Sequence, residues 1–208
     1  MNTTNPSTQA SEQDSGALLR YGIFALLALV MAGTRINHFA PLPDASWVVF
    51  FAAGFYLSRA WRWVFPALLV EAVLIDYLVI SSQGMSFWQH YCVSAAYWFL
   101  VPAYLAMWYG GSWLAQNYRG LGLRELGLAA LAFFFALNLC YLISNGSFYW
   151  LSDSVPLPRS FAAWAENLGD WYLTYLASQS VYFGIGVALH ALATQVGSLS
   201  AVRNAVQR

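Results

Sequence analysis

Of the 208 residues, 60% are hydrophobic and only 9% are charged, against about 25% charged in an ordinary soluble domain. Nine basic residues balance nine acidic ones. That arithmetic excludes a soluble enzyme, a disordered regulator and any broad polycationic face for nucleic acid or anionic lipid. All nine basic residues are arginine. The absence of lysine excludes a P-loop ATPase and a Schiff-base enzyme, and an integral membrane protein remains.

Residues 1–17 are polar, with neither a basic n-region nor a small-residue cleavage site. They read as a disordered cytoplasmic tail rather than a signal peptide. Apolar stretches of about 20 residues then mark membrane spans. Six are expected: Leu18 to Thr34, Ser46 to Leu57, Trp63 to Ile80, Phe87 to Trp113, Leu126 to Ser144 and Leu168 to Ala193. The second is short for a crossing, and the Arg59–Arg62 segment extends it or forms an interfacial turn. Pro41-Leu42-Pro43 separates the first two spans, with Asp44 as a candidate N-cap. Pro102 is expected to kink the fourth span by freeing the carbonyl of Trp98. The connection from Asn145 to Asn167, with Phe148-Tyr149-Trp150 and Trp164, reads as an amphipathic interfacial segment. The fold expected is therefore all-α: one integral membrane bundle of six helices over residues 18–195, followed by a cytoplasmic tail at 196–208.

Arginine placement orients it. Six spans put Arg20, Arg59, Arg62, Arg119, Arg124, Arg203 and Arg208 on one side and only Arg35 and Arg159 on the other. The positive-inside rule then places both termini in the cytoplasm.

Ionisable residues inside hydrocarbon are expensive, so each is a candidate functional group. Glu71 and Asp76 lie in the third span, Asp76 nearer its outer end. Asp76 reads either as a carboxylate paired with Arg35 or Arg159, or as a ligand-facing group; for Glu71 a hydrogen bond to a tyrosine or serine is expected. His38 and His90 fall on the outer face, and His190 closes the sixth span on the inner one. Cys92 lies roughly 6 Å below the outer surface if span four is helical at 1.5 Å per residue. Cys140 is near the outer end of span five. Either cysteine suits a small buried hydrophobe, and a Cys92–Cys140 disulfide is a further alternative. No C-x-x-C or H-E-x-x-H set occurs, which argues against a zinc site. One thiolate can still supply an axial ligand to a metal that carries its own macrocycle.

Three runs carry a resemblance: Pro43-Asp44-Ala45-Ser46-Trp47 on through Phe50 to Leu57, then Leu74-Ile75-Asp76-Tyr77, then Tyr91-Cys92-Val93-Ser94-Ala95-Ala96-Tyr97 on to Tyr104. Over about residues 37–108 the chain resembles the BtuM-type cobalamin uptake proteins. These small bacterial inner-membrane proteins look like solitary substrate-binding (S) components of energy-coupling-factor transporters. The resemblance implies cobalamin as bound substrate, with Cys92 as the cobalt-coordinating thiolate and His38, Asp76 and Tyr97 around the corrin. It also implies an energy-coupling ATPase module supplied by other genes, and a cysteine-dependent loss of cyanide from cyanocobalamin that would add a catalytic role for Cys92. On an ideal helix Tyr97 is about 140° from Cys92, so the kink at Pro102 would have to bring them together. The competing reading is a haem- or quinone-binding membrane protein that uses His38 and His90.

Overall fold

The computed structural model describes residues 6–36 and 44–206, with side chains described over 16–36 and 44–197. All regular structure among the described residues is helical. Six α-helices follow in order: α1 (Pro6–Arg35), α2 (Ser46–Leu57), α3 (Trp61–Ser82), α4 (Leu100–Asn117), α5 (Leu123–Leu151) and α6 (Phe161–Val206). Helical stretches long and apolar enough to cross a membrane cover 16–35, 46–82, 123–151 and 161–197. Apolar side chains also cover the outside of the bundle, among them Leu29, Phe135, Leu173 and Val181, all more than half exposed. In water this would be an aggregation surface; a bilayer is the solvent that accommodates it.

The stretch 46–82 is not a single rod. Phe50 and Phe65 are fifteen residues apart, which would separate them by roughly 22 Å along one helix, yet their rings meet edge to face at 5.3 Å. The chain reverses in a one-turn 3-10 segment at Ser58–Ala60, so α2 and α3 form a hairpin. This is the turn that the Arg59–Arg62 segment suggested.

α2 contains no charged residue and is buried along most of its length, as befits a helix apolar on every side. It is the axis of the bundle. Phe50 stacks on Tyr104 of α4 at 4.3 Å, and Phe51 meets Phe133 of α5 and Phe183 of α6 at 5.4 and 5.8 Å. α2 and α4 touch backbone to backbone. A Cβ on Gly54 would overlap the Trp108 carbonyl, and one on Gly111 would overlap that of Phe51. The neighbouring Gly110 turns the other way, where its Cβ would stand 2.6 Å from Ala136 on α5. Adjacent glycines thus let α4 slot between α2 and α5, the small-residue packing that membrane helices use in place of a hydrophobic driving force.

The boundaries differ from expectation in three places. Residues 87–99 do not begin a spanning helix: Ser86, His90 and Ser94 are extended, and the α-helix proper starts at Leu100. Pro102 therefore lies in the first turn of α4, where a missing N–H costs little, and it kinks nothing. Secondly, Asn145–Asn167 is not an interfacial segment. Its ends belong to α5 and α6, joined by a short loop and tied by Asn145 Nδ2 donating to Asn167 Oδ1 at 3.0 Å. The Arg159 guanidinium donates to the carbonyls of Trp150, Ser152 and Val155, satisfying acceptors that a helix end leaves open. Thirdly, α1 starts at Pro6 and α6 runs to Val206, so most of the expected tails, 1–17 and 196–208, is helical. Adding a turn to an existing helix is far cheaper than nucleating one.

Candidate functional site

Both ends of the bundle carry polar clusters, and the more elaborate one gathers around Arg35. Its guanidinium is only 3% exposed and grips Asp76 of α3 with two parallel bonds, Nε to Oδ1 at 2.7 Å and Nη2 to Oδ2 at 2.6 Å. Nη1 donates to Asp44 Oδ2 at 3.1 Å, Ser46 Oγ at 3.0 Å and Tyr104 Oη at 3.2 Å. One cation thereby joins the end of α1, the start of α2, the second half of α3 and the first turns of α4. The forked geometry is the one a guanidinium makes best with a carboxylate. Ala45, not Asp44, is the N-cap of α2, with no side-chain cap bond; Asp44 stands one residue earlier, its Oδ1 accepting from the Ser46 N–H at 2.7 Å. Its carbonyl accepts from Gln179 Nε2 of α6 at 2.7 Å.

Of the two roles open for Asp76, the ion pair with Arg35 is present. The carboxylate also accepts from Tyr97 Oη at 2.7 Å. Tyr97 reaches it from a 3-10 turn at Ala95–Phe99 that Ser94 caps, accepting from the Ala96 N–H. The helical angle between Tyr97 and Cys92 is thus irrelevant: both stand on irregular chain, free to converge.

Cys92 lies in the loop that leads to this turn, not inside a helix. Its N–H donates to His90 Nδ1 at 3.3 Å, and the ring of His90 is buried. The loop is also tied to the α5–α6 connection by Ser154 Oγ donating to the Tyr91 carbonyl at 3.1 Å. The thiol is free and half-buried, next to Tyr91 in the chain and within Coulombic reach of Asp76 and Arg35. Burial chiefly pushes its pKa up, with Asp76 adding to the rise and Tyr91 and Arg35 opposing it. Cys140 is free as well and fully buried on α5, so the two cysteines form no disulfide.

Cys92, Asp76 and Tyr97 therefore share one end of the bundle, around Arg35. His38 lies outside the described residues. The α6 side adds an aromatic wall, where Trp47 stacks on Tyr175 at 5.0 Å. Gln179 on the same helix is fully buried, its Oε1 without a hydrogen-bond partner among the described residues. Sequence reasoning missed Tyr104, Tyr175 and Gln179. The only available signal was their helical register, which cannot be read until the packing partner is known. Glu71, on α3, has no hydrogen-bond partner among the described residues, contrary to expectation.

Among the described residues no group of three or more His, Cys, Asp or Glu side chains could hold a metal ion. What the arrangement can offer is one soft donor, Cys92, beside an anchored carboxylate and a phenol.

At the opposite end, His190 of α6 is bridged by two phenols, Tyr56 at Nδ1 and Tyr118 at Nε2, each at 2.8 Å. Below them is an apolar cleft of about 120 Å³ between α2, α6 and the α4–α5 turn, lined by residues such as Phe51, Phe55 and Phe183. No cysteine lines it, and it runs along α2 from Val48 to Tyr56. Neither a family model nor a curated protein matches the chain.

Proposed function

We propose that the chain is a BtuM-type cobalamin uptake protein of the bacterial inner membrane: a six-span, S-component-like bundle with both termini in the cytoplasm. The observation that carries the reading is the convergence of Cys92, Asp76 and Tyr97 at one end of the bundle, with the Cys92 thiol free and half-buried. Among the described residues the helical order gives that end Arg35 and Arg159 and leaves six arginines for the other. By the positive-inside rule the cysteine end then faces outward, where an importer meets its substrate. Energy for transport comes from an ATPase module outside this chain.

Cobalamin brings four equatorial nitrogens, so the protein need add only an axial donor, and a thiolate is a soft one. Sulfur displaces the nucleotide base on one face of the cobalt and weakens the bond to cyanide on the other. The exchange is redox-neutral. The Co–S bond forms, the Co–C bond to cyanide breaks with its electron pair on carbon, the thiol proton leaves as part of HCN, and cobalt stays Co(III). The Arg35–Asp76–Tyr97 network holds the neighbouring wall. Equilibrium titration of the purified protein in detergent with hydroxocobalamin tests the assignment. One saturable site per chain, lost in Cys92→Ala, is expected; no retention of hydroxocobalamin by the wild type overturns it.

A further inference from the structure

We propose that the cavity between α1 and the α2–α3 turn is a binding site for the phosphate of an anionic phospholipid, held by Arg20 and Arg59. The cavity has a volume of about 270 Å³ and is lined by Arg20, Tyr56, Leu57, Ser58, Arg59 and Ala60. That is many times the roughly 30 Å³ a water molecule occupies in the liquid. Two cations from separate elements face one space, and no carboxylate lines it. Arg20 uses Nε on the carbonyl of Gly16 at 3.1 Å. Among the described residues neither arginine has a carboxylate within ion-pair distance. Ser58 adds a hydroxyl to the same wall.

The neutral total of the chain excludes a broad basic face but not such a local pair. Uncompensated guanidinium groups around a polar cavity call for an anion with several acceptor oxygens, and phosphate geometry suits the guanidinium fork. The surroundings point to lipid as the source. Tyr21, Trp61 and Trp63 are exposed at this end, and Trp63 packs against Tyr21 and Phe24 of α1 at 5.9 and 5.0 Å. Such a belt marks headgroup depth. Leu18 and Leu19, beside Arg20, are exposed for acyl-chain contact. Tyr56, at the base of the cavity, is held in place by His190. A seated headgroup would thus pin α1 to the hairpin turn.

Native mass spectrometry of the full chain in detergent, titrated with phosphatidylglycerol and with phosphatidylcholine, reads the site. Each juxtamembrane arginine is worth about fivefold in affinity for an anionic headgroup. Phosphatidylglycerol should therefore be preferred, with Arg20→Gln or Arg59→Gln losing about fivefold and the double variant about 25-fold. Both side chains are at the surface, so the substitutions leave the core intact. Arg62→Gln, at the same end but outside the cavity, should change nothing. The proposal is overturned if the double variant stays within twofold of wild type. An equal loss in Arg62→Gln would mean a diffuse basic surface and overturn it too. So would displacement of the lipid by equimolar glycerol 3-phosphate, which would make the ligand a free phosphate.

Discussion

Removing the carboxylate of Asp76 strands a guanidinium that the bundle has taken out of solvent. In Asp76→Ala, Arg35 keeps Asp44, Ser46 and Tyr104 through Nη1, but Nε and Nη2 lose both acceptors, and the Tyr97 hydroxyl loses its own. Breaking one side of a buried pair costs about 3–5 kcal/mol. At roughly 2–4 °C per kcal/mol for a chain of this size, the apparent Tm should fall by roughly 6–20 °C. Asp76→Asn keeps an acceptor oxygen for Arg35 or Tyr97 and should lose less. Arg35→Met leaves Asp44 and Asp76 without their shared cation and should also be strongly destabilising. Adding Asp76→Leu to Arg35→Met should recover part of that loss, because the second change removes a stranded charge. Thermal unfolding in detergent, followed by the fluorescence of the ten tryptophans, measures all four variants. A melting point for Asp76→Ala within 2 °C of wild type, taking ~2 °C as the smallest shift that 1 kcal/mol produces, or a double variant no more stable than Arg35→Met alone, would refute the reasoning.

Three other outcomes are expected. Gly111→Ala places a Cβ on the Phe51 carbonyl and, since backbone cannot step aside as a side chain can, should cost at least the upper end of the usual overpacking range, about 3 kcal/mol; an unchanged melting point would contradict the α2–α4 contact. Affinity for the aqua form of hydroxocobalamin should rise with pH by up to tenfold per unit, because water leaves neutral and the thiol proton is released on ligation. The rise should level off where the cobalt-bound water has itself ionised, since hydroxide and the thiol proton then leave together as water, whereas a profile flat over the whole range would argue against a thiolate ligand. Reporter fusions at the C-terminus should place it in the cytoplasm, and an external C-terminus would reverse the sidedness of the Cys92 site.

Composition revealed the helical, membrane-type character, and the bounds of α2 were legible to the residue because Asp44 and the Ser58–Ala60 turn punctuate a wholly apolar run. Span four was misread for a physical reason. Phe87 to Phe99 is apolar enough to pass for a helix, but its backbone is set by Ser94 capping a 3-10 turn and by His90 accepting from Cys92, contacts without a periodic signature. At the site, Cys92 and Asp76 stood out by chemical type and Tyr97 only through the resemblance, and all three share one end of the bundle. Arg35 appeared in the sequence only as one of two possible partners for Asp76. That it gathers Asp44, Ser46 and Tyr104 as well depends on four helices meeting. Gly110 and Gly111 were unremarked because a close approach of backbones shows only in the packed bundle.

The central claim is that the Cys92 sulfur becomes an axial ligand of cobalt, and the visible spectrum of the purified protein with cyanocobalamin, read with the cyanide released, tests it most directly. Wild type and Cys140→Ala should show a shifted absorption and about one cyanide released per bound corrinoid, as one thiolate replaces one ligand. Cys92→Ser and Cys92→Ala should show neither. A Cys92→Ala protein that retains the wild-type bound spectrum would contradict the account and leave Cys92 an inert, half-buried thiol.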